Sequence, residues 1–334
     1  IRVGRARLGL GEAEVEAARP LLPEDPEVEL AVGPRLSSEG RTVEFEASLR
    51  QRLEISGARG LRVRLAERTR TRLERELKRL RWEVHRKVHA AYHFALVARQ
   101  RVAAAQHMVT FARRLLEITR KRHAAGAISM LDVRVAEGEA AQASQREIRA
   151  KNAYQVACLR LAEAAGWPGR APEPKGDLEP PRLAPPLAKL VQLARSRHPE
   201  LRSRLAVIDE AGARVKLAAR NAFPRPAVGV AYGREAEPAG PTNHIVVATL
   251  GLSLPIWRRN RGERARARAG DALARARYRA LKQRLPARVE RAARSLTAAA
   301  KRIAVYGREV IPAFKRSLEM IGRAYSVGKV DVLQ

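Results

Sequence analysis

Two periodicities alternate along this chain. In "TVEFEASLRQRLEI", residues 42–55, Val43, Phe45, Ala47, Leu49, Leu53 and Ile55 fall on one side of a two-residue repeat. Thr42, Glu44, Glu46, Ser48, Arg50, Arg52 and Glu54 fall on the other, and Gln51 alone breaks the apolar side. Alternation over this length predicts a β-strand with one apolar and one polar face. The shorter run "VELAV" predicts a partner strand over 28–34, with "SSEG" as the turn between them. From Gly60 the step changes to three and four, through Leu73, Leu77, Leu80, Val84, Val88 and Ala91. This is helical spacing, and no proline interrupts it before Gly126. The predicted helix over 60–125 is about 100 Å long at about 1.5 Å per residue. That is several times the usual globular length, so the segment reads as part of a coiled coil or helical barrel.

The remaining elements follow in a fixed order. A helix over 1–19 precedes the first strands and ends at "RPLLPEDP"; another, over 131–165, ends at "GWPG". Residues 168–187 form a proline-rich linker. A short helix over 187–197 follows, and "HPEL" opens another that runs to Asn221. The earlier order then returns, with strands over 226–233 and 243–256 around the turn "EAEPAGPTN". In the last strand Val246, Ala248, Leu250, Leu252 and Leu254 share one face, against Thr249, Gly251 and Ser253. A second long helix spans 262–327. Pro286 and Pro312 fall inside it, and each removes a backbone donor, so a kink or break is expected there. Gly60 and Gly126 stand 66 residues apart, as do Gly262 and Gly328, and the two pairs are offset by 202. The unit of helix, strand pair, long helix and glycine turn therefore occurs twice. Residues 1–167 and 188–334 read as two structural repeats joined by the linker.

An antiparallel strand with one apolar face and one small or polar face suits a membrane barrel, with lipid outside and water inside. The strands over 42–55 and 243–256 exceed the ~9–11 residues that a tilted crossing requires. Four strands cannot enclose a lumen, so several copies of the chain would have to share one barrel. The rival is a pair of half-buried hairpins on a soluble domain, which leaves two very long helices attached to small hairpins. Composition favours close helix packing over an aromatic core: 46% of the 334 residues are apolar, much of that alanine, and 4% are aromatic. No apolar run reaches the ~18 residues of a membrane helix. Contact with a bilayer would thus fall to strands or to a lipid anchor. The single cysteine, Cys158, excludes an internal disulfide.

The order of these phrases carries a resemblance. "LRQRLEISGARG", "RHAAGAISMLDVRVAEGEAAQA", "LRLAEAAGWP", "HPEL", "VKLAARNAFPRPAVGVAYG", "LSLPIWRRNRGERARARA" and "AYSVGKVDVL" cover nearly the whole chain in sequence. In that order and at that spacing, the chain resembles the outer-membrane efflux proteins of the TolC type. Within them it looks most like the outer-membrane components of cobalt–zinc–cadmium and other heavy-metal cation exporters. The resemblance implies a mostly α fold with membrane β: a long α-helical barrel, and four β-strands per protomer contributed to a trimeric outer-membrane β-barrel. It implies a homotrimer in the outer membrane of a Gram-negative bacterium, with most of the chain in the periplasm. Its partners would be outer-membrane lipid, a periplasmic adaptor and an inner-membrane efflux pump that supplies the energy. Val43, Phe45, Ala47, Leu49, Val246, Ala248, Leu250 and Leu252 would then face lipid. "GAIS" and "GKVD" would be the helix tips that meet the adaptor. There Gly126 and Gly328 reverse the chain, Ile128 and Val330 offer small apolar knobs, and Ser129 and Asp331 cap the returning helix. The family pattern also includes a signal peptide, often a lipidated cysteine, and a returning helix after the second tip. Further chain is therefore expected at both ends.

Charge changes this picture little. The formal net charge is +31, from 66 Lys and Arg against 35 Asp and Glu. Such an excess keeps open the alternative of a basic coiled-coil protein that binds nucleic acid or acidic partners. However, the basic residues are scattered and alternate with Glu, as in "RTRTRLERELKRLRWE", which reads as a solvated helix face. No nucleic acid is expected as partner. Arg50, Arg52 and Glu54 on the polar strand face suit a water-filled lumen. His85, His89 and His93 fall at i, i+4 and i+8. Two histidines four apart can share a metal, but the outer two lie about 12 Å apart along the axis and cannot. A solvated or tunnel-lining stripe is the plainer reading, so no metal site, cofactor or catalytic set is assigned. A periplasmic adaptor with a helical hairpin ranks last, because it would lack twin strand pairs of membrane length.

Overall fold

Strands that each carry one apolar side form a single two-faced sheet only when their registers agree, and here they do. The structure, a computed structural model, describes residues 1–326 except 23, 38–39, 168, 180–184, 237–239, 255 and 258. Strand β1 (Glu27–Ser37) pairs antiparallel with β2 (Gly40–Arg52), β2 with β3 (Pro226–Glu235), and β3 with β4 (Asn243–Leu252). The spatial order is β1-β2-β3-β4, so the two hairpins join along the β2–β3 seam.

The strand boundaries differ from the alternation pattern: β1 and β3 run on past 34 and 233 to Ser37 and Glu235, while the other two strands end early. The strands expected over 42–55 and 243–256 stop at Arg52 and Leu252. Pro226 opens β3 opposite Leu252, and its carbonyl accepts one last bond from the Leu53 amide at 2.7 Å. With no N–H to give, this proline ends the ladder on both sides. Glu54 therefore lies past the strand and does not belong to its polar face. Its side chain is 1% exposed and takes a hydrogen bond from Arg62 Nη1 at 2.8 Å.

Helices make up the remaining regular structure: α1 (Arg2–Ala18), α2 (Ala58–Ala124), α3 (Met130–Ala165), α4 (Leu187–Arg197), α5 (Pro199–Arg220), α6 (Arg261–Val305) and α7 (Ile311–Ser326). The chain groups into two units, each drawn from both sequence halves: residues 1–80 with 193–285, and residues 81–192 with 286–334.

In the first unit the helix contacts run along narrow seams of small residues. Gly4, Gly11, Val15 and Ala18 are the buried positions of α1, and Ala66, Thr69, Leu73 and Leu77 are those of the facing part of α2. In α5 the seam is Ser203, Ala206, Glu210 and Ala213. Steps of three and four are the coiled-coil spacing, and small residues let the backbones approach. A Cβ on Gly11 would lie 2.7 Å from Leu73 Cδ1 and 3.3 Å from Arg70 Cα, which shows how closely α1 and α2 pack. Val15, Ala18 and Ala66, with Val63 beside them, form the local core. Glu210, buried in the α5 seam, is bound by Arg72 of α2 and by Arg214 at 2.7 Å.

In the second unit Val133, Ala136, Ala140 and Ala143 give α3 the same seam. The linker is strapped onto α2. Tyr92 Oη donates to the Lys175 carbonyl, and Arg99 donates to the carbonyls of Pro174, at 2.8 Å, and of Gly176. Burial, then a hydrogen bond with the buried Cys158, pushes the Tyr154 hydroxyl above its ordinary pKa.

The two prolines of the second long helix behave differently from each other. The chain remains α-helical through Pro286, where one ladder bond is lost beside a Leu285 that is 2% exposed. Of the kink or break expected there, no break occurs. Before Pro312 the helix widens into a π turn, Tyr306–Val310, closed by the Ile311 amide onto the Tyr306 carbonyl. The wider turn relieves the clash between a proline ring and the carbonyl four residues back. The segment expected as one helix over 262–327 is thus α6, a π turn and α7, and residue 327 lies outside the described residues.

A Cβ at Gly229 would sit 2.8 Å from the Leu49 carbonyl oxygen and 2.7 Å from Thr249 Oγ1. The hydroxyl can rotate away, but the carbonyl cannot. Gly229→Val should therefore wedge β2 from β3 and destabilise the sheet by about 1–3 kcal/mol. Gly233→Val, whose nearest neighbour would be Ile245 Cβ at 4.0 Å, should change little. Thermal melts followed by circular dichroism check both.

Candidate functional site: an apolar sheet face and a helix-tip turn

The register sorts the sheet's side chains into rows. Across β1 to β4 one row reads Val32, Phe45, Arg234, His244; the next reads Leu30, Ala47, Tyr232, Val246; the third reads Val28, Leu49, Val230, Ala248. A fourth holds Gln51, Val228 and Leu250. Val43 pairs with Pro34 and Leu252 with Pro226 on the same face. All eight strand positions singled out from sequence, Val43, Phe45, Ala47, Leu49, Val246, Ala248, Leu250 and Leu252, therefore share one side. Val28, Leu30, Val32, Val228, Val230 and Tyr232 join them there.

This face is bare: Val246 is 72% exposed and Leu250 77%. An apolar surface contributed by four strands is larger than water tolerates without something to cover it. Its one misplaced amide, Gln51, turns aside and donates to the carbonyls of Glu24 and Arg52, both at 3.0 Å. Near the hairpin turns, Phe45, Tyr232 and His244 cluster, with the Tyr232 hydroxyl 2.7 Å from His244 Nδ1. Among the described residues, edge strands β1 and β4 have no second partner.

The opposite face is polar or small. Glu29, Glu44, Glu46, Ser48, Arg50, Gly229, Ala231, Gly233, Thr249 and Gly251 point there, with Ile245 and Val247 of β4 as exceptions. Arg35 bridges to Glu44 at 2.9 Å and to Glu235 at 3.6 Å. Where the sheet meets its helices, Arg50, Arg52, Arg225 and Arg259 line a cavity of 790 Å³. Glu24 pairs with Arg52 at 2.9 Å and with Arg225 at 3.4 Å. Arg50 and Arg52 thus stand on the polar face, whereas Glu54 does not.

The turn after α2 is built from local backbone bonds. The Ala127 amide bonds to the Arg122 carbonyl at 2.9 Å and the Gly126 amide to the His123 carbonyl at 2.8 Å, closing a Schellman cap. Gly126 has φ +71°, a conformation in which any Cβ is strained. Ser129 then caps α3. Its hydroxyl accepts from the Asp132 amide, and the Asp132 carboxylate accepts from the Ser129 amide at 2.9 Å. Asp132 was not singled out from sequence, although Ser-x-x-Asp ahead of a helix is a legible capping box. His123 Nδ1 lies 2.9 Å from the Ile128 carbonyl.

The apolar surface of the turn extends beyond Ile128. Ile128 is half-buried, while Met130 and Leu131 are 53% and 66% exposed. The cap fixes the first turn of α3 so that neither of these side chains can reach the α2–α3 seam. Beside the turn, Glu137 of α3 accepts from Arg120 of α2 at 2.8 Å and from Arg134 at 3.0 Å. Those bonds, Arg120 first, hold its carboxyl below the ordinary carboxylate range. The second phrase, Gly328, Val330 and Asp331, lies outside the described residues.

His85, His89 and His93 lie exposed along α2. Among the described residues, no group of three or more His, Cys, Asp or Glu is arranged to hold a metal ion, and no helix is long and apolar enough to cross a membrane.

A family model described as "Outer membrane efflux protein" matches residues 1–167 and 190–334. The cobalt-zinc-cadmium resistance protein CzcC of Cupriavidus metallidurans is 29% identical over 215 residues, 63% of this chain and 50% of that protein. Protein CyaE of Bordetella pertussis is 30% identical over 287 residues, 80% of this chain and 60% of that protein. The chain thus spans about half to three-fifths of the length of these relatives. Among solved structures, that of CusC, described in terms of folding and transmembrane channel formation, superimposes with a TM-score of 0.77 at 14% identity. The match covers 99% of this chain and 80% of that one. The mostly helical fold with four antiparallel strands per chain is therefore shared with known channel proteins.

Replacing Ser129 with Ala removes the cap and should cost about 1 kcal/mol locally. Faster amide exchange at residues 130–133, with the rest of α3 unchanged, is the expected readout. Acid should act in the same direction. A carboxyl whose folded pKa is lowered contributes above its unfolded value and loses that contribution as pH falls through the folded one. The Glu137 tie between α2 and α3 should therefore weaken below the ordinary carboxylate range and vanish in Glu137→Gln. Exchange at 120–137 measured against pH checks both.

Proposed function

The chain belongs to the outer membrane efflux protein family, and on that premise we propose that it is one subunit of an outer-membrane exit duct. Three copies would each give four strands to one barrel, and their helices would form a tunnel in the periplasm. The duct is passive: an inner-membrane pump, coupled through a periplasmic adaptor, supplies the energy, and the chain has no catalytic step of its own. The name of its relative CzcC supports metal cations as cargo.

One observation carries this reading: an exposed apolar face, continuous across four strands in register, on a sheet with two open edges. In hydrocarbon an unpaired edge costs several kcal/mol per backbone group. Such a sheet is at rest only when its edges close on other strands and its apolar side meets lipid. Repeating the chain about a threefold axis satisfies both demands with identical contacts. The polar face, with its arginine-lined cavity, would then meet water inside. On this reading Val43, Phe45, Ala47, Leu49, Val246, Ala248, Leu250 and Leu252 touch lipid. Gly126, Ile128 and Ser129 form the adaptor-facing tip, joined there by Met130 and Leu131, with Gly328, Val330 and Asp331 as its counterpart.

The test is expression in a Gram-negative host. The protein should fractionate with the outer membrane, run as a trimer in detergent and give ohmic pores in a planar bilayer. A water-soluble monomer that retains DNA in a salt-dependent manner would overturn the reading in favour of a basic coiled-coil protein. Leu250→Arg should cost about 2–4 kcal/mol of barrel stability if it meets lipid, whereas Thr249→Arg, one residue along on the wet face, should be tolerated. Gly126→Val should abolish export while leaving the protein in the membrane fraction; export at wild-type level would count against the tip role.

A further inference from the structure

The histidine column on α2 has a geometry that the duct does not require. Ring centroids of His85 and His89 are 5.2 Å apart, and so are those of His89 and His93. Trp82 stacks on His85 at 5.8 Å, and Tyr92 meets His93 edge-on at 5.5 Å. The three imidazoles therefore form one continuous stripe with His89 in the middle. All three are exposed, so their rings can turn without unpacking a core.

Imidazole nitrogens bind zinc and its neighbours at about 2.0–2.1 Å, which places two ligands on one ion about 3 Å apart. Rings with centroids 5.2 Å apart reach that separation by rotating about their own side-chain bonds. The helix has already fixed the backbone, so little ordering remains to be done. The outer pair, eight residues apart, is too distant to share an ion. The surroundings narrow the choice of cation further. Arg81 and Arg86 flank His85 along the helix, and the carboxylate of Glu83 is turned to Lys87 Nζ at 3.8 Å. Imidazole nitrogen donors do not suit calcium or magnesium, which take oxygen ligands. They suit copper(II), nickel(II), zinc and cobalt(II), for which imidazole is a preferred ligand.

We propose that His85, His89 and His93 form a two-histidine site for a divalent transition-metal cation, with His89 as the shared ligand and the ion held by either the 85/89 or the 89/93 pair. Water completes the coordination. The ion has two positions one helical turn apart, about 6 Å along the axis, and can step between them by way of His89. The site does not rest on the duct reading, because binding is measured on the purified protein without transport.

The experiment uses the full protein purified without a histidine tag, titrated with copper(II), zinc and magnesium by calorimetry, and copper(II) electron paramagnetic resonance. One saturable copper or zinc ion per chain is expected, with nitrogen hyperfine structure from two imidazoles and no magnesium binding. His89→Gln removes both pairs and should weaken copper binding by at least about tenfold. His85→Gln and His93→Gln each leave one pair intact and should cost only about twofold. His244→Gln, on the sheet, should have no effect. The proposal fails if His89→Gln binds like the wild type, or if the three single variants are equally impaired. Because the substituted side chains are exposed, a melting temperature matching the wild type will show that a loss of binding is not a loss of fold.

Discussion

Backbone hydrogen bonding between strands that are far apart in sequence is the constraint on which this molecule turns. The β2–β3 seam sets Leu49 opposite Val230 and Ala47 opposite Tyr232. A slip of one residue there would turn the second hairpin over and mix Gly229 and Ala231 into the apolar side. In the observed register each hairpin extends the other's two-faced character, and Gly229 gives the room that the Leu49 carbonyl needs. The result is a sheet with an apolar side, a polar side and, among the described residues, two edges without a partner.

The helices solve a different problem with the same economy of side chains. Alanine, glycine and serine at steps of three and four let long helices lie close together without a bulky core. This is why so basic a chain can remain ordered: the seams are narrow, and most of each helix surface is left to charge. Pairs such as Arg70–Glu74, Lys121–Glu117 and Arg294–Glu290 lie one turn apart on those surfaces. Each is worth tenths of a kcal/mol, so they tune solubility more than stability. Buried Glu210, with its two arginines, belongs to the packing itself.

The turn between α2 and α3 shows how a small segment can be both rigid and available. Its backbone is closed by the Schellman bonds and the Ser129–Asp132 box, so its shape does not depend on a partner. Its apolar side chains, Met130 and Leu131, remain in solvent. A preorganised turn with uncovered apolar groups loses little entropy when something docks on it. The histidine stripe has the same character, since α2 holds its three imidazoles at fixed spacing before any ion arrives.

Much of this was legible along the chain, because periodicity is a local property. Alternation from Val43 to Leu49 and from Val246 to Leu252 identified strands and their apolar side, and steps of three and four identified α2. The glycine at 126 marked its own reversal, because a residue without Cβ adopts that φ without strain. What sequence could not supply were facts that depend on a neighbour. Strand ends at Arg52 and Leu252 were set by Pro226 across the ladder, and Glu54 was removed from the polar face by Arg62. Whether a proline breaks a helix was decided by surroundings, with α-helix kept at Pro286 and a π turn formed before Pro312. The exposure of Met130 and Leu131 beside Ile128 was likewise visible only in the folded turn. Patterns within one element follow from bond geometry and can be read in order. Boundaries, burial and pairing follow from what other elements bring alongside, and that is settled only when the chain folds.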